Sequence, residues 1–215
     1  MPVLRAARAL VFDLDGTLVD SLADIVLHLN ATLAERGLPT RTREEIGEWV
    51  GYGADQLVIR AVPHPEMVAD TLEAFRAHYR ARPVVSTCVF PELAGVLDAI
   101  AMGRKLAVLS NKPHDLTVEV VDQLLGRWQF AVVAGQRNGK PHKPDPAALL
   151  DVAGELAVDP RDCVMIGDSE VDIATARAAG VPSVAVSWGL RALDIIEAAE
   201  PDHLVHSPAQ LGELF

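Results

Sequence analysis

The run LVFDLDGTLVDS, from Leu10 to Ser21, places two carboxylates, Asp13 and Asp15, where an apolar strand stops and turns. Val11 and Phe12 read as part of a strand buried on both faces in a parallel sheet, and Gly16 breaks it at once. Both acids therefore stand at the strand's carboxyl end, the edge at which open α/β sheets bind ligands. Residues two apart on a strand point the same way, so Asp13 and Asp15 can address one substrate atom from one side. Carboxylates this close repel, and a divalent cation or a shared proton relieves the cost. The bland alternative is a turn that uses Asp and Gly only as turn formers.

The rest of the chain alternates between β-rich and helical runs, which predicts an α/β fold with a doubly wound parallel sheet. Strands are expected at Ala9–Leu14, Leu106–Ser110, Phe130–Ala134, Cys163–Ile166 and Ser183–Val186, with a short sixth at His203–Val205. Helices are expected at Glu92–Met102, Leu116–Leu125, Pro146–Leu156 and Val171–Ala179. One interval breaks the alternation, since residues 19–87 contain no strand-like run. Leu22, Ile25, Val26, Leu29 and Leu33 fall at helical spacing there, with Asp20 or Ser21 as N-cap and Gly37 as stop. Further helices are predicted at Thr42–Val50, Ala54–Ala61 and Pro65–Ala81. The division is thus a core of residues 1–18 and 88–215 with an inserted all-helical cap of residues 19–87. An insert directly after the Asp pair is placed to stand over it as a lid, although a packing insert has the same amphipathic pattern.

A formal charge of −11 argues against nucleic acid or an anionic membrane as partner, so an anionic substrate must be drawn in locally. Half of the 215 residues are hydrophobic, enough for a sizeable core. Cys88 and Cys163 have no metal-binding or redox spacing and read as buried, inert thiols. The seven histidines show no ligand spacing, which disfavours zinc. With no signal-like or membrane-spanning run, a cytoplasmic protein is expected.

Three further segments share the logic of the first. Asp168 ends the apolar run Val164-Met165-Ile166 and precedes a helix, and Asp172 lies one helical turn further on the same face. Ser169 and Glu170 start that helix, where an acid is favoured by the dipole alone. Ser110 follows Leu106-Ala107-Val108-Leu109, and taken alone would read as a turn serine. The loop NGKPHKPDP carries Lys140 and Lys143.

Taken in order, LVFDLDGTLVDS, VLSNK, KPDP and MIGDSEVD resemble the haloacid-dehalogenase superfamily of phosphatases. GEWVGYGADQLVIRAV and FPELAGVLDAI are most similar to its phosphoglycolate phosphatases. The resemblance implies a helical cap after the first strand and Mg²⁺-dependent hydrolysis of a phosphomonoester. It makes Asp13 the nucleophile that forms an aspartyl-phosphate, and Asp15 the acid and base that also offers its main-chain carbonyl to the metal. Gly16 and Thr17 would shape the turn and donate N–H groups to phosphate, and Ser110 would hydrogen-bond a phosphate oxygen, with Asn111 beside it. Lys112 stays open between phosphate contact and surface charge. Lys143 rather than Lys140 matches the Lys-Pro-x-Pro pattern and would neutralise phosphate and nucleophile, leaving Lys140 as a solvated charge. Asp13, Asp15, Asp168 and Asp172 form the implied Mg²⁺ set, which suits an ion that prefers oxygen ligands. Gly51-Tyr52-Gly53 would reach down from the cap, and Arg60 could pair with a substrate carboxylate.

The expected partner is a small phosphorylated metabolite, above all 2-phosphoglycolate, with the protein a monomer or homodimer. Nucleotides, pyrophosphate and sugar phosphates stay open as substrates, as does a phosphomutase. A phosphonate cleaver would need a cap lysine, and no Lys occurs in residues 19–87. A haloacid dehalogenase would need neither Asp15 nor Asp168, and a non-catalytic binder on the same fold would be expected to lack one of the four motifs.

Overall fold

A computed structural model describes residues 2–215, and side chains from Leu4 onward. A short helix α1 (Pro2–Arg5) leads into the buried strand β1 (Ala9–Phe12). Next come β2 (Val19–Asp20), α2 (Leu22–Glu35), α3 (Arg43–Trp49), α4 (Ala54–Ala61), α5 (Val68–Ala81) and β3 (Cys88–Val89). The chain then alternates through α6 (Leu93–Ile100), β4 (Lys105–Pro113), α7 (His114–Leu125), β5 (Val132–Gln136) and α8 (Ala147–Glu155). It closes with β6 (Cys163–Gly167), α9 (Glu170–Ala179), β7 (Ser183–Val186), α10 (Leu193–Ala198), β8 (His203–Val205) and α11 (Pro208–Leu214).

Among the described residues the main sheet runs β5-β4-β1-β6-β7-β8, with every neighbouring pair parallel. This is the doubly wound α/β core, and its order reverses about β1. Side chains alternate across β1, and the two core layers follow from that. Leu10 and Phe12 pack toward α6, α7 and α11, while Ala9 and Val11 pack toward α8 and α9. β1 ends at Phe12, two residues earlier than expected, because the Leu14 carbonyl collects the N–H groups of Thr17, Leu18 and Val19 in a tight turn.

Helices α2 to α5 build a separate apolar core in which Leu22, Ile25, Leu29 and Leu33 of α2 meet Ile46, Leu57, Val58, Phe75 and Tyr79. The interval is not wholly helical. β2 pairs antiparallel with β3 through Val19 with Val89 and Asp20 with Cys88, which ties together the two points where the chain leaves and re-enters the core. That ribbon was unreadable because two residues per strand carry no period. Cys88 is exposed rather than buried, since it sits on this ribbon, whereas Cys163 is buried in β6. No described helix is long and apolar enough to cross a membrane.

Beside the ribbon, buried Asp24 in the first turn of α2 accepts hydrogen bonds from the N–H groups of Val85, Ser86 and Thr87 and from the Thr87 hydroxyl, at 2.5 to 3.1 Å. Burial opposes its charge, but these donors outweigh it and hold the carboxyl below the usual carboxylate range. Asp24→Ala should therefore cost about 2–4 kcal/mol and lower Tm by roughly 5–12 °C. A depressed carboxylate stabilises only while ionised, so the deficit should be complete near neutrality and shrink below about pH 4. Thermal melts of both proteins from pH 3 to 8 check this, and a deficit independent of pH would refute the assignment.

Candidate active site

The register aligns Phe12 with Val108 on one side and Ile166 on the other, so three adjacent strands end level. Asp13 and Asp168 follow β1 and β6, and Asp172 lies in the first turn of α9. One oxygen from each of the three comes within 4.8 Å of the others, and all three residues are buried. Lys143, from the loop before α8, reaches into them. Its Nζ lies 2.9 Å from Asp13 Oδ1, 2.6 Å from Asp172 Oδ1 and 3.0 Å from the Leu109 carbonyl.

The three acids differ in what holds them. Asp172 gives one oxygen to Lys143 and the other to the Ser169 hydroxyl and N–H, so it faces the lysine as a helix-capping partner. Asp168 accepts from the Thr17 hydroxyl at 2.9 Å and the Leu190 N–H at 2.8 Å. Asp13 Oδ1 is buried with no aligned hydrogen bond, Lys143 being only its ion-pair partner. Three carboxylates against one ammonium leave two negative charges in a buried site. Burial and the neighbouring acids push Asp13 up to about 7 against the pull of Lys143, and push Asp168 up to about 6. A divalent cation with a preference for oxygen fits both the charge and the donor set. The cluster also has no space behind it. A Cβ on Gly16 or Gly189 would fall far inside contact distance of the Asp168 carboxylate, and one on Gly167 would do the same to Asp172.

Asp15 stands outside the cluster. Its carboxylate accepts from the Ser21 hydroxyl at 2.6 Å and from Lys112 Nζ at 3.1 and 3.2 Å. Lys112 also donates to the Tyr79 hydroxyl at 3.0 Å, so it is a buried charge joining β4 to the cap helix α5, and not a surface charge. Burial opposes its protonation, but Asp15 and Tyr79 outweigh burial and hold the ammonium charged. Ser110 Oγ accepts the Lys112 N–H at 3.2 Å and faces the same cavity as Asp13 and Asp15. Asn111 clamps two loops, donating from Nδ2 to the carbonyls of Gly51 and Lys143 and accepting the Lys143 N–H. The Gly16 and Thr17 N–H groups are not presented to a ligand, because they close the turn on the carbonyls of Val19 and Leu14. Lys140 is solvent-exposed, 3.8 Å from Asp151.

The cap loop comes down as expected at Gly51 and Gly53, which line the cavity with positive φ of 103° and 93°. Tyr52 between them turns the other way and donates its hydroxyl to Glu170. Arg60 is exposed and stacks 4.7 Å from the Tyr52 ring centroid, outside the cavity, so it does not face a substrate there. Glu170 is no free helix-start acid, since Arg191 Nε lies 2.7 Å from it. Sequence reasoning missed Arg191, which is 8% exposed and donates to the carbonyls of Glu48 and Val50 at 2.7 and 2.9 Å. It sits in a Trp-Gly-Leu-Arg loop with no flanking motif, and its acceptors are main-chain atoms 141 and 143 residues away.

The haloacid dehalogenase-like hydrolase family model matches residues 10–186. The chain is 36% identical over 214 residues to a phosphoglycolate phosphatase of Xanthomonas campestris pv. campestris (strain 8004), covering 98% of this chain and 97% of that protein. It is 33% identical over 208 residues to a phosphoglycolate phosphatase of Aquifex aeolicus (strain VF5), covering 96% of each. The crystal structure of a predicted phosphoglycolate phosphatase from Haemophilus somnus 129PT superposes with a TM-score of 0.90 at 27% identity, covering 97% of this chain and 98% of that one.

Arg191 and Asn111 together hold the carbonyls at the end of α3 against the core. Arg191→Ala leaves two of those carbonyls without their donor and Glu170 without its charge partner, at a cost of about 2–4 kcal/mol. Hydrogen exchange followed by mass spectrometry should show faster exchange across residues 49–54, with β1, β4 and β6 unchanged. Unaltered protection in that loop would show that Arg191 does not fasten it.

Proposed function

We propose a reaction for a chain that belongs to the haloacid dehalogenase-like hydrolase family and is a phosphatase: Mg²⁺-dependent hydrolysis of a small phosphomonoester, 2-phosphoglycolate, through an aspartyl-phosphate on Asp13. The observation that carries it is the level ending of three strands, which brings Asp13, Asp168 and Asp172 around Lys143, with Asp15 and Ser110 facing the same cavity as Asp13. Asp13, Asp168 and the Asp15 main-chain carbonyl would hold Mg²⁺, with Asp172 close by, and the ion would supply the positive charge that lets a phosphate approach three acids.

In the proposed sequence an Asp13 oxygen attacks phosphorus as the ester oxygen leaves, which splits one difficult displacement into two. Lys143, already 2.9 Å from Asp13, balances charge on the phosphoryl oxygens, and the Ser110 hydroxyl turns its proton to one of them. Asp172 and the Leu109 carbonyl keep that lysine from swinging away. Asp15 hands a proton to the departing alkoxide and takes one back from the water that cleaves the acyl-phosphate. Phosphate and glycolate result, and Asp13 is restored. The substrate rests on the two relatives named as phosphoglycolate phosphatases and on a cavity whose far wall, Ile25, Leu57, Phe75 and Leu116, offers nothing to the hydroxyls of a sugar.

Asp13→Asn should cut turnover of 2-phosphoglycolate and of para-nitrophenyl phosphate about 1,000-fold or more, while circular dichroism stays that of the native protein. Asp15→Asn should release para-nitrophenolate once per active site and then stall, since that leaving group needs no proton but the acyl-phosphate does. EDTA should abolish turnover, and Mg²⁺ should restore it. Full activity in Asp13→Asn, or normal turnover in EDTA, would refute the mechanism.

A further inference from the structure

With Arg60 outside the cavity, the carboxylate of a phosphorylated acid needs another partner. Among the described residues lining the cavity above Asp13, Lys112 is the one cation. The side chain is 5% exposed, held over the Tyr79 ring at 4.3 Å from its centroid. Its Nζ is 3.1 Å from the carboxylate of Asp15, the group that serves the leaving oxygen in the reaction above. A carboxylate on the carbon next to the ester carbon lies about one hydrogen-bond length from the leaving oxygen, as far from it as Lys112 is from Asp15. One of the ammonium's three protons is spent on the neutral Tyr79 hydroxyl. An ionised carboxylate is a better acceptor for an ammonium than a phenol is.

Resting on the assignment of phosphoglycolate hydrolysis, we infer that Lys112 is the specificity-determining residue of this site: it binds the leaving-group carboxylate of a short 2-phosphooxy acid in place of the Tyr79 hydroxyl. The apolar wall beyond it sets the length. Ile25, Leu57, Phe75 and Leu116 close the cavity on the cap side, so further hydroxyl groups on a longer leaving group would be buried without partners. The same lysine thus reads the acid and orients Asp15, which couples recognition to the aiming of the proton donor. A purely positioning role would make no distinction between an acidic and an uncharged leaving group.

The test compares 2-phosphoglycolate with ethyl phosphate, whose leaving group has no carboxylate, in the Mg²⁺-loaded wild-type protein, Lys112→Gln and Lys112→Arg. Gln keeps a hydrogen-bond donor for Asp15 and removes the charge. Lys112→Gln should lose about 10- to 100-fold more kcat/KM on 2-phosphoglycolate than on ethyl phosphate, mainly through KM, which is the range of a charge-assisted hydrogen bond. Lys112→Arg should keep most of the wild-type preference. Equal losses on both substrates would overturn the inference while leaving phosphoglycolate hydrolysis intact. A wild-type protein that does not prefer 2-phosphoglycolate would overturn the substrate assignment and the inference with it. Should Lys112→Gln not fold, inhibition of the wild-type protein and Lys112→Arg decides. 3-Phosphonopropionate should inhibit about tenfold or more better than propylphosphonate in both, and equal inhibition would overturn the inference.

Discussion

The buried charge excess around Lys143 is the constraint on which the rest of this structure depends. Three carboxylates and one ammonium, all buried, form an arrangement that folding alone would not favour, because each uncompensated charge in a low-dielectric interior is costly. Much of the local architecture answers that cost. Thr17, Leu190 and Ser169 spend hydrogen bonds on Asp168 and Asp172, and the Leu109 carbonyl takes a proton of Lys143. Asp13 is the acid left with least support, and it is the one that the proposed attack on phosphorus requires to be free.

Parallel pairing makes this cluster possible. In β1, β4 and β6 the register sets Val108 and Ile166 on either side of Phe12, so residues 96 and 154 positions apart in sequence become neighbours. Packing at that edge is close enough that Gly16, Gly167 and Gly189 are required for what they lack, since any Cβ there would strike an acid. At Gly16 the positive φ of 88° adds a second reason. These glycines at the ends of β1, β6 and β7 are therefore part of how the carboxylates are aimed and not only turn signals.

What was legible in the sequence follows from this geometry. Strand ends marked by Asp and Gly carry local information, so the sheet, the helices over residues 22–81 and the strand-end positions of Asp13 and Asp168 could be read from short runs, whereas Lys143 is singled out from Lys140 only by its likeness to the family's Lys-Pro-x-Pro motif. Side-chain direction in the cap could not. Tyr52 and Arg60 fit a substrate-facing role by spacing alone, yet the loop's positive-φ glycines turn Tyr52 outward onto Glu170 and carry Arg60 with it. Lys112 was ambiguous because its value depends on Asp15 and Tyr79, which lie 97 and 33 positions away. Cys88 and the two-residue strands beside it show the same limit, since pairing that short leaves no period.

Core and cap divide the chemistry unevenly. Every group proposed to touch the phosphoryl centre comes from the core, whereas the cap's contribution to the cavity is apolar walls, two glycines and the Tyr79 hydroxyl. The core also grips the cap loop through its main chain. Arg191 and Asn111 take the carbonyls of Glu48, Val50 and Gly51, acceptors that any sequence would offer. Fastening of the cap loop is thereby separated from the side chains that the cap presents to the cavity. Substitutions at Ile25, Leu57 or Phe75 can reshape the cavity without loosening the clasp, and the clasp's own residues sit beside Ser110 and Leu190, next to the groups that hold Lys143 and Asp168. Because the cap loop is held on those two core loops, the same contacts that fasten it also brace the acid cluster from above.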